Sequence, residues 1–402
     1  MSKQDQKQRG VYRVPMSSPD LTEAEQKVVS EVLRTPRLSM GPYEEAFEKL
    51  VKDYVGVAHV IAVSSGTAGL HLCVRVVGIT DGDWVITTPF SFVASANVML
   101  YERAIPIFVD VDVKTGNIDT GLVEEAAKDL KQGGRTAQRW LPRRGLKDQG
   151  EVKAILPVDV FGQPVDYEPL LKTAKTYGLY VIEDSCEALG SSYRDQKAGT
   201  FGDLGTFAFY PNKQITTGEG GVVVTDNEDW ASMIRSMRNQ GRAPGDTWLT
   251  HKFLGYNYRM NELSAAMGAV QMTRLDELIE KRERVAQWYF QQLKGIQGVE
   301  GPQVVQTTTR MSWFVYVVRF DPAIDRDAVI GLLEERGVPA RPYFMPIHLQ
   351  DYMKDQFGYR EGDFPVTEDL GRRSLALPFS SVMSEEQVGI VCEALKQVVE
   401  IF

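Results

Sequence analysis

A chain of 402 residues is longer than one hydrophobic core usually supports, so a large domain with a smaller companion is expected. Its 43% hydrophobic and 25% charged residues suit a globular protein, and a net charge of −9 argues against a nucleic-acid partner, which requires a basic surface. Cys73, Cys186 and Cys392 lack metal-ligand spacing and read as reduced residues of a cytoplasmic protein, with no metal site and no bilayer-spanning run expected.

The first fifteen or so residues read as a flexible arm with a polar start. Asp20-Leu21-Thr22-Glu23 resembles a capping box, opening a helix with Val28, Val29, Val32 and Leu33 on its apolar face. From about residue 57, β-rich runs alternate with helical patterns. The runs are His59–Val63, Trp84–Thr87, Ile105–Val109, Ala154–Val158, Tyr180–Glu183, Thr206–Phe209 and Val222–Thr225, with helices such as Ala68–Val77 and Tyr167–Tyr177 between them. That alternation predicts an α/β fold with a mostly parallel seven-stranded sheet sandwiched by helices.

Lys128–Lys153 breaks the rhythm with Lys131, Arg135, Arg139, Arg143, Arg144 and Lys147 around Gly133-Gly134 and Pro142. It is either a basic flap over an anionic substrate or, as charge runs usually are, a solvated surface insertion. Asn261 to Leu293 has the period of one long helix, with Leu263, Met267, Val270, Leu275 and Leu278 on one face. A smaller α+β unit follows: a strand over Trp313–Phe320, a helix over Arg326–Arg336 stopped by Gly337, and a last helix capped by Ser384 and Gln387. The expected division is an arm (1–19), a large domain (20–280) and a small C-terminal domain (281–402).

Four segments at strand ends carry chemistry. Lys213 follows one β-run and precedes a polar, glycine-rich turn, where open α/β sheets bind ligands; a desolvated lysine there attacks carbonyls, although most lysines are simply solvated. Asp184 ends another run, either as the partner of a cationic ring nitrogen or as a helix N-cap. Ser65-Gly66-Thr67-Ala68 feeds a helix start, as an anion seat or as ordinary capping. Phe92, past a third run, is a ring-stacking aromatic or a core residue. Taken together, a phosphate seat, a stacking aromatic, a carboxylate and an imine-forming lysine describe a pyridoxal phosphate pocket.

The motifs SSGTAGLH, TPFSFVASAN, VFGQPVD, IEDSCEALG, FYPNKQITTGEGG and GYNYRMNELSAAMG resemble those of the DegT/DnrJ-type sugar aminotransferases, a branch of the fold-type I pyridoxal phosphate enzymes. The resemblance extends from about residue 12 to the end. It implies that Lys213 carries the cofactor as a Schiff base and that Asp184 partners the pyridine nitrogen. By the same resemblance Phe92 stacks on the ring, Gly66, Thr67 and Ala68 seat the phosphate, and Glu187 meets the phenolic oxygen. Asn257 reaches the phosphate of a neighbouring subunit, which implies a homodimer with shared active sites. The implied substrates are L-glutamate and a nucleotide-linked ketosugar, aminated at C4 rather than C3, with pyridoxamine phosphate as the alternate cofactor form. Tyr210, Arg259, Arg341 and His348 are the candidate substrate contacts; the prolines around the last two equally suit a rigid buried turn. Glu187, Ala208 and Asp159 depart from the commonest pattern of glutamine, serine and histidine. Amination of a cyclitol ketone and a non-catalytic, cofactor-binding regulator are the alternatives. Lys213 argues against a sugar dehydratase, in which histidine replaces the lysine.

Overall fold

A computed structural model describes residues 12–146, 150–242 and 250–402. Seven short strands form the main sheet: β1 (His59–Val63), β2 (Trp84–Thr87), β3 (Ile105–Phe108), β4 (Val152–Leu156), β5 (Tyr180–Asp184), β6 (Leu204–Ala208) and β7 (Gly221–Thr225). Their order is β1-β7-β6-β5-β4-β2-β3. Strands β3, β2, β4, β5 and β6 pair in parallel, and β7 runs antiparallel between β1 and β6. The expected mostly parallel α/β sheet is therefore present. Its strands are rich in Val and Ile and almost wholly buried, because helices cover both faces.

The antiparallel strand decides where a site can form. Gly221 pairs with both Val63 and Ala208, so the start of β7 meets the ends of β1 and β6. A Cβ at Gly221 would lie 2.6 Å from the Ser65 carbonyl carbon, so only glycine permits this approach. Helix α1 (Glu23–Val32) and helix α2 (Pro42–Val55) precede the sheet. Helix α3 (Gly66–Val76) packs on β6 and β7, and α4 (Ala94–Tyr101) packs beside it.

Several expectations need correction. The first helix is capped by Thr22 with Glu25, not by Asp20; Asp20 is drawn instead into ion pairs with Arg274 and Lys281. Strand β4 ends two residues earlier than expected because Pro157 has no N–H for the ladder. The long helix is two, α5 (Glu262–Thr273) and α6 (Leu275–Leu293), separated where Arg274 leaves helical geometry (φ −109°, ψ 2°). The strand expected from Trp313 starts at Tyr316, since Trp313 has φ 53°.

In the basic insertion, Arg139 pairs with Glu125 and Asp129, Arg143 with Asp363, and Arg144 donates to the Lys354 carbonyl. These guanidinium groups are engaged within the chain, which favours the surface-insertion reading over a flap. Lys147 lies outside the described residues.

C-terminal to α6, β8 (Val299–Glu300), β9 (Tyr316–Phe320), β10 (Arg341–Pro342) and β11 (Ser374–Leu377) form an antiparallel sheet ordered β8-β9-β11-β10. Its core joins Val285, Tyr289, Val318, Leu375, Val391 and Leu395. Residues 1–11 of the expected arm lie outside the described residues, but from Arg13 the chain is packed rather than loose. Val14 is buried in this C-terminal core, and Arg13 N donates to the Gly337 carbonyl. Among the described residues no helix is long and apolar enough to cross a membrane.

Candidate active site

The ends of β1, β2, β5 and β6 border a cavity of about 420 Å³, lined among others by Ser65, Gly66, Phe92, Asp184, Lys213 and Tyr343. Lys213 sits on the turn after β6, which closes where Lys213 N donates to the Tyr210 carbonyl at 2.9 Å. Its Nζ lies 3.6 Å from Glu187 Oε1 and 3.8 Å from the centroid of the Phe314 ring. Its side chain is 13% exposed, so the amine is held inside the cavity rather than left in solvent. The solvated-lysine alternative does not describe it.

Asp184 is buried at the end of β5. Its main chain is fixed by Pro157 O at 2.9 Å and Asp159 N at 3.1 Å. Oδ2 accepts from Ser95 Oγ at 2.7 Å, and Oδ1 accepts from Cys186 N at 3.2 Å. No helix starts at Asp184, which removes the N-cap alternative. A buried carboxylate needs compensation by cations or hydrogen bonds, and a protonated ring nitrogen in the cavity would supply it.

Helix α3 points its N-terminus at the same cavity. Ser65 is its N-cap, and Ser65, Gly66 and Thr67 all line the space. Helix N-termini present backbone N–H groups to anions. A Cβ at Gly66 would lie 2.7 Å from Ala208 Cβ and 2.8 Å from Cys186 Sγ, so a larger residue would displace these cavity-lining neighbours. Phe92 is 63% exposed and lines the cavity; it is not the core residue that its apolar character allowed.

Residues 19–396 match the DegT/DnrJ/EryC1/StrS aminotransferase family. The chain belongs to that family. It is 37% identical to the GDP-perosamine synthase of Caulobacter vibrioides, over 96% of this chain and 98% of that protein. Identity to the Bacillus subtilis spore coat polysaccharide biosynthesis protein SpsC is 34%, over 98% and 99% of the two chains. Helicobacter pylori PseC, an aminotransferase of pseudoaminic acid biosynthesis, superposes with a TM-score of 0.87 at 27% identity, over 97% of this chain and all of that one. Aminotransferases of this family depend on pyridoxal phosphate. The cavity of this aminotransferase fits such a group: an amine and a buried carboxylate share it with a helix N-terminus and an exposed aromatic.

Glu187 of the aminotransferase is buried, and burial pushes its carboxyl pKa up, opposed by Lys213 and by the Phe161 N–H. Oε2 accepts that N–H at 2.9 Å, leaving Oε1 toward Lys213. Tyr210 is 54% exposed and lines the cavity.

Other expected residues are elsewhere. Ala68 is not on the cavity wall, and its N–H is capped by Ser65 Oγ at 3.1 Å. His348 is completely buried, bonded through Nε2 to Glu368 at 3.0 Å and packed on Phe364. It is part of the rigid buried turn, not a sugar contact. Arg341 is exposed and turned to Glu334 and its neighbour's carbonyl. Asn257 is exposed and bridges to Asn239, while Arg259 donates to Asn239 Oδ1; neither lines the cavity of its own chain. Asp159 is also off the wall. It accepts from Val165 N, Tyr167 Oη and Ser185 Oγ, tying together the segments behind the site.

Sequence reasoning missed Ser95, Cys186, Phe314 and Tyr343. Ser91 and Ser95, one helical turn apart beside Phe92, were a usable signal for a polar support. Phe314 and Tyr343 come from the C-terminal part of the chain, and no local pattern marks them. Among the described residues no cluster suited to a metal ion occurs.

Proposed function

We propose that this chain transfers the amino group of L-glutamate to a ketosugar carried on a nucleotide, with the accepting ketone at C4. The observation that carries this is the convergence of the Lys213 amine and the Asp184 carboxylate on one cavity. The substrate class is suggested by relatives named for GDP-perosamine synthesis and for surface polysaccharide and pseudoaminic acid biosynthesis.

Bound pyridoxal phosphate supplies an electron sink for the charge that develops when a proton leaves the amine-bearing carbon. Lys213 would hold the cofactor through its aldehyde carbon, and its Nζ is placed to move a proton at the substrate carbon as general base and then acid. Asp184, supported by Ser95, would hold a proton on the ring nitrogen. Phe92 provides an apolar face, and the start of α3 offers N–H groups to the phosphate. Asn257, exposed, and Arg259, half-buried, both lie off their own cavity and suit a homodimer in which each subunit completes its neighbour's site.

The test incubates purified protein with L-glutamate and a panel of nucleotide-linked 3-keto and 4-keto sugars. Release of 2-oxoglutarate and the mass of the product are followed. Amination of a 4-ketosugar is expected. Exclusive amination of 3-ketosugars would overturn the position assigned. Failure on every nucleotide-linked sugar, with turnover of a free cyclitol ketone, would overturn the substrate class.

A further inference from the structure

Arg282 lies on α6 and is 2% exposed, yet among the described residues it forms no ion pair. Its guanidinium is spent on main chain. Nη1 donates to the carbonyls of Trp313 at 3.0 Å and Phe314 at 3.2 Å. Nη2 donates to those of Asn212 at 3.2 Å and Lys213 at 2.5 Å. Two segments far apart in sequence are thus held by one planar fork. A parallel tie runs from Gln214 Nε2 to Ser312 Oγ at 2.8 Å.

The two segments meet at the amine. The Phe314 ring centroid is 3.8 Å from Lys213 Nζ, so the fork fixes both the main chain bearing the amine and the main chain bearing the ring beside it. Burying a lone cation is unfavourable, and burial brings the Arg282 pKa down to about 10. An apolar side chain would fill the space without that penalty. A lysine, with a point charge instead of a fork, does not match four carbonyls spread over two segments. What the fork retains is the relation between Lys213 and Phe314.

We propose that Arg282 is a positioning residue for the Lys213 amine: its forked bonds keep the Lys213 main chain and the Phe314 ring in register, and so set how readily Nζ attacks a carbonyl carbon. The proposal rests on the reading of Lys213 as the cofactor-bearing lysine, although the clamp itself involves no cofactor atom.

The experiment uses the full chain, freed of any bound pyridoxal phosphate, as wild type, Arg282→Lys, Arg282→Met and Phe314→Leu. Lys213 is first reductively methylated with formaldehyde and cyanoborohydride across a range of pH. The amine bonds the aldehyde carbon, water leaves, and hydride reduces the C=N bond. Peptide mass spectrometry compares its rate with those of exposed lysines in the same sample. In both Arg282 variants the Lys213 rate should fall about tenfold or more and its pH midpoint should move, while the exposed lysines stay unchanged. Phe314→Leu, which keeps the clamp but loses the ring, should also move the pH midpoint. A purely structural Arg282 would lower thermal stability but leave the rate and pH midpoint of the folded protein at wild-type values, and that would overturn the proposal. If neither Arg282 variant folds, an unchanged Lys213 profile in Phe314→Leu overturns it. A second arm adds pyridoxal phosphate and borohydride. Absence of a Lys213 adduct in wild type would refute the cofactor reading, with the methylation arm still deciding Arg282.

Discussion

Ser95 shows how a residue behind the site supports one in it. Its hydroxyl reaches Asp184 Oδ2 at 2.7 Å and is itself 2.9 Å from Ser91 Oγ. A hydrogen bond to a charged group contributes roughly 1.5–3 kcal/mol. Ser95→Ala should therefore weaken cofactor binding about 10- to 100-fold in an equilibrium titration of the apoprotein. Unchanged affinity would mean that Asp184 does not need this support. Ala208 tests the opposite end of the cavity. It lines the space beside Gly66. If the phosphate sits at the start of α3, Ala208→Ser should tighten cofactor binding by about tenfold or more, one charge-assisted hydrogen bond's worth. Weaker binding in that variant would place the phosphate elsewhere. The place of Lys213, Asp184 and Phe92 beside one cavity was legible in the sequence because each lies at, or a short turn beyond, the end of a β-run. Ser95 was overlooked because its role depends on a carboxylate from another strand. His348 was misplaced because a histidine among prolines reads alike in a pocket or in a buried turn.

Elements were legible where a local signal set their limits. Tyr167–Tyr177 was expected and observed with the same ends, since Gly178 stops it in the left-handed region at φ 62°. The split between α5 and α6 was not legible, because the apolar period continues through it and the break depends on Arg274 reaching Asp20 and Glu25. The turn joining β4 to the next helix depends on a similar tertiary tie, Asp159. Burial pushes the Asp159 pKa up to about 6, against about 4 in an unfolded chain. The folded state keeps a proton that the unfolded state releases. The stability linked to this group is therefore fully present below about pH 4 and is lost as the pH rises through about 6. Asp159→Asn removes that titration. Denaturant unfolding from pH 4 to 7 should show a decline in stability shallower by up to about 3 kcal/mol. An unaltered slope would show that Asp159 is already ionised in the fold at low pH.

At the scale of the whole molecule, the mostly parallel sheet and the gathering of motifs at its strand ends followed from alternating patterns and a chain of local motifs, whereas the order of strands in the sheet did not. Which parts of the C-terminal region close over the cavity did not, because Phe314 and Tyr343 reach it only through tertiary packing. Asn257 has the same difficulty one level higher. It is exposed, bridges to Asn239 and stays off its own cavity, so its proposed contact requires a second copy of the chain. Complementation separates this arrangement from two independent sites. Lys213→Ala chains should be inactive, and Asn257→Ala chains should bind cofactor less tightly and turn over slowly. In a mixed dimer with shared sites, one site carries both defects. The other combines an intact Lys213 with the partner's intact Asn257. Co-expression at equal levels makes about half of the dimers mixed, so about one quarter of all sites should recover wild-type turnover. If each chain instead uses its own Asn257, no site in the mixture is intact, and activity should equal the mean of the two separate variants. Turnover per subunit, with dimer composition measured by native mass spectrometry, distinguishes the two results.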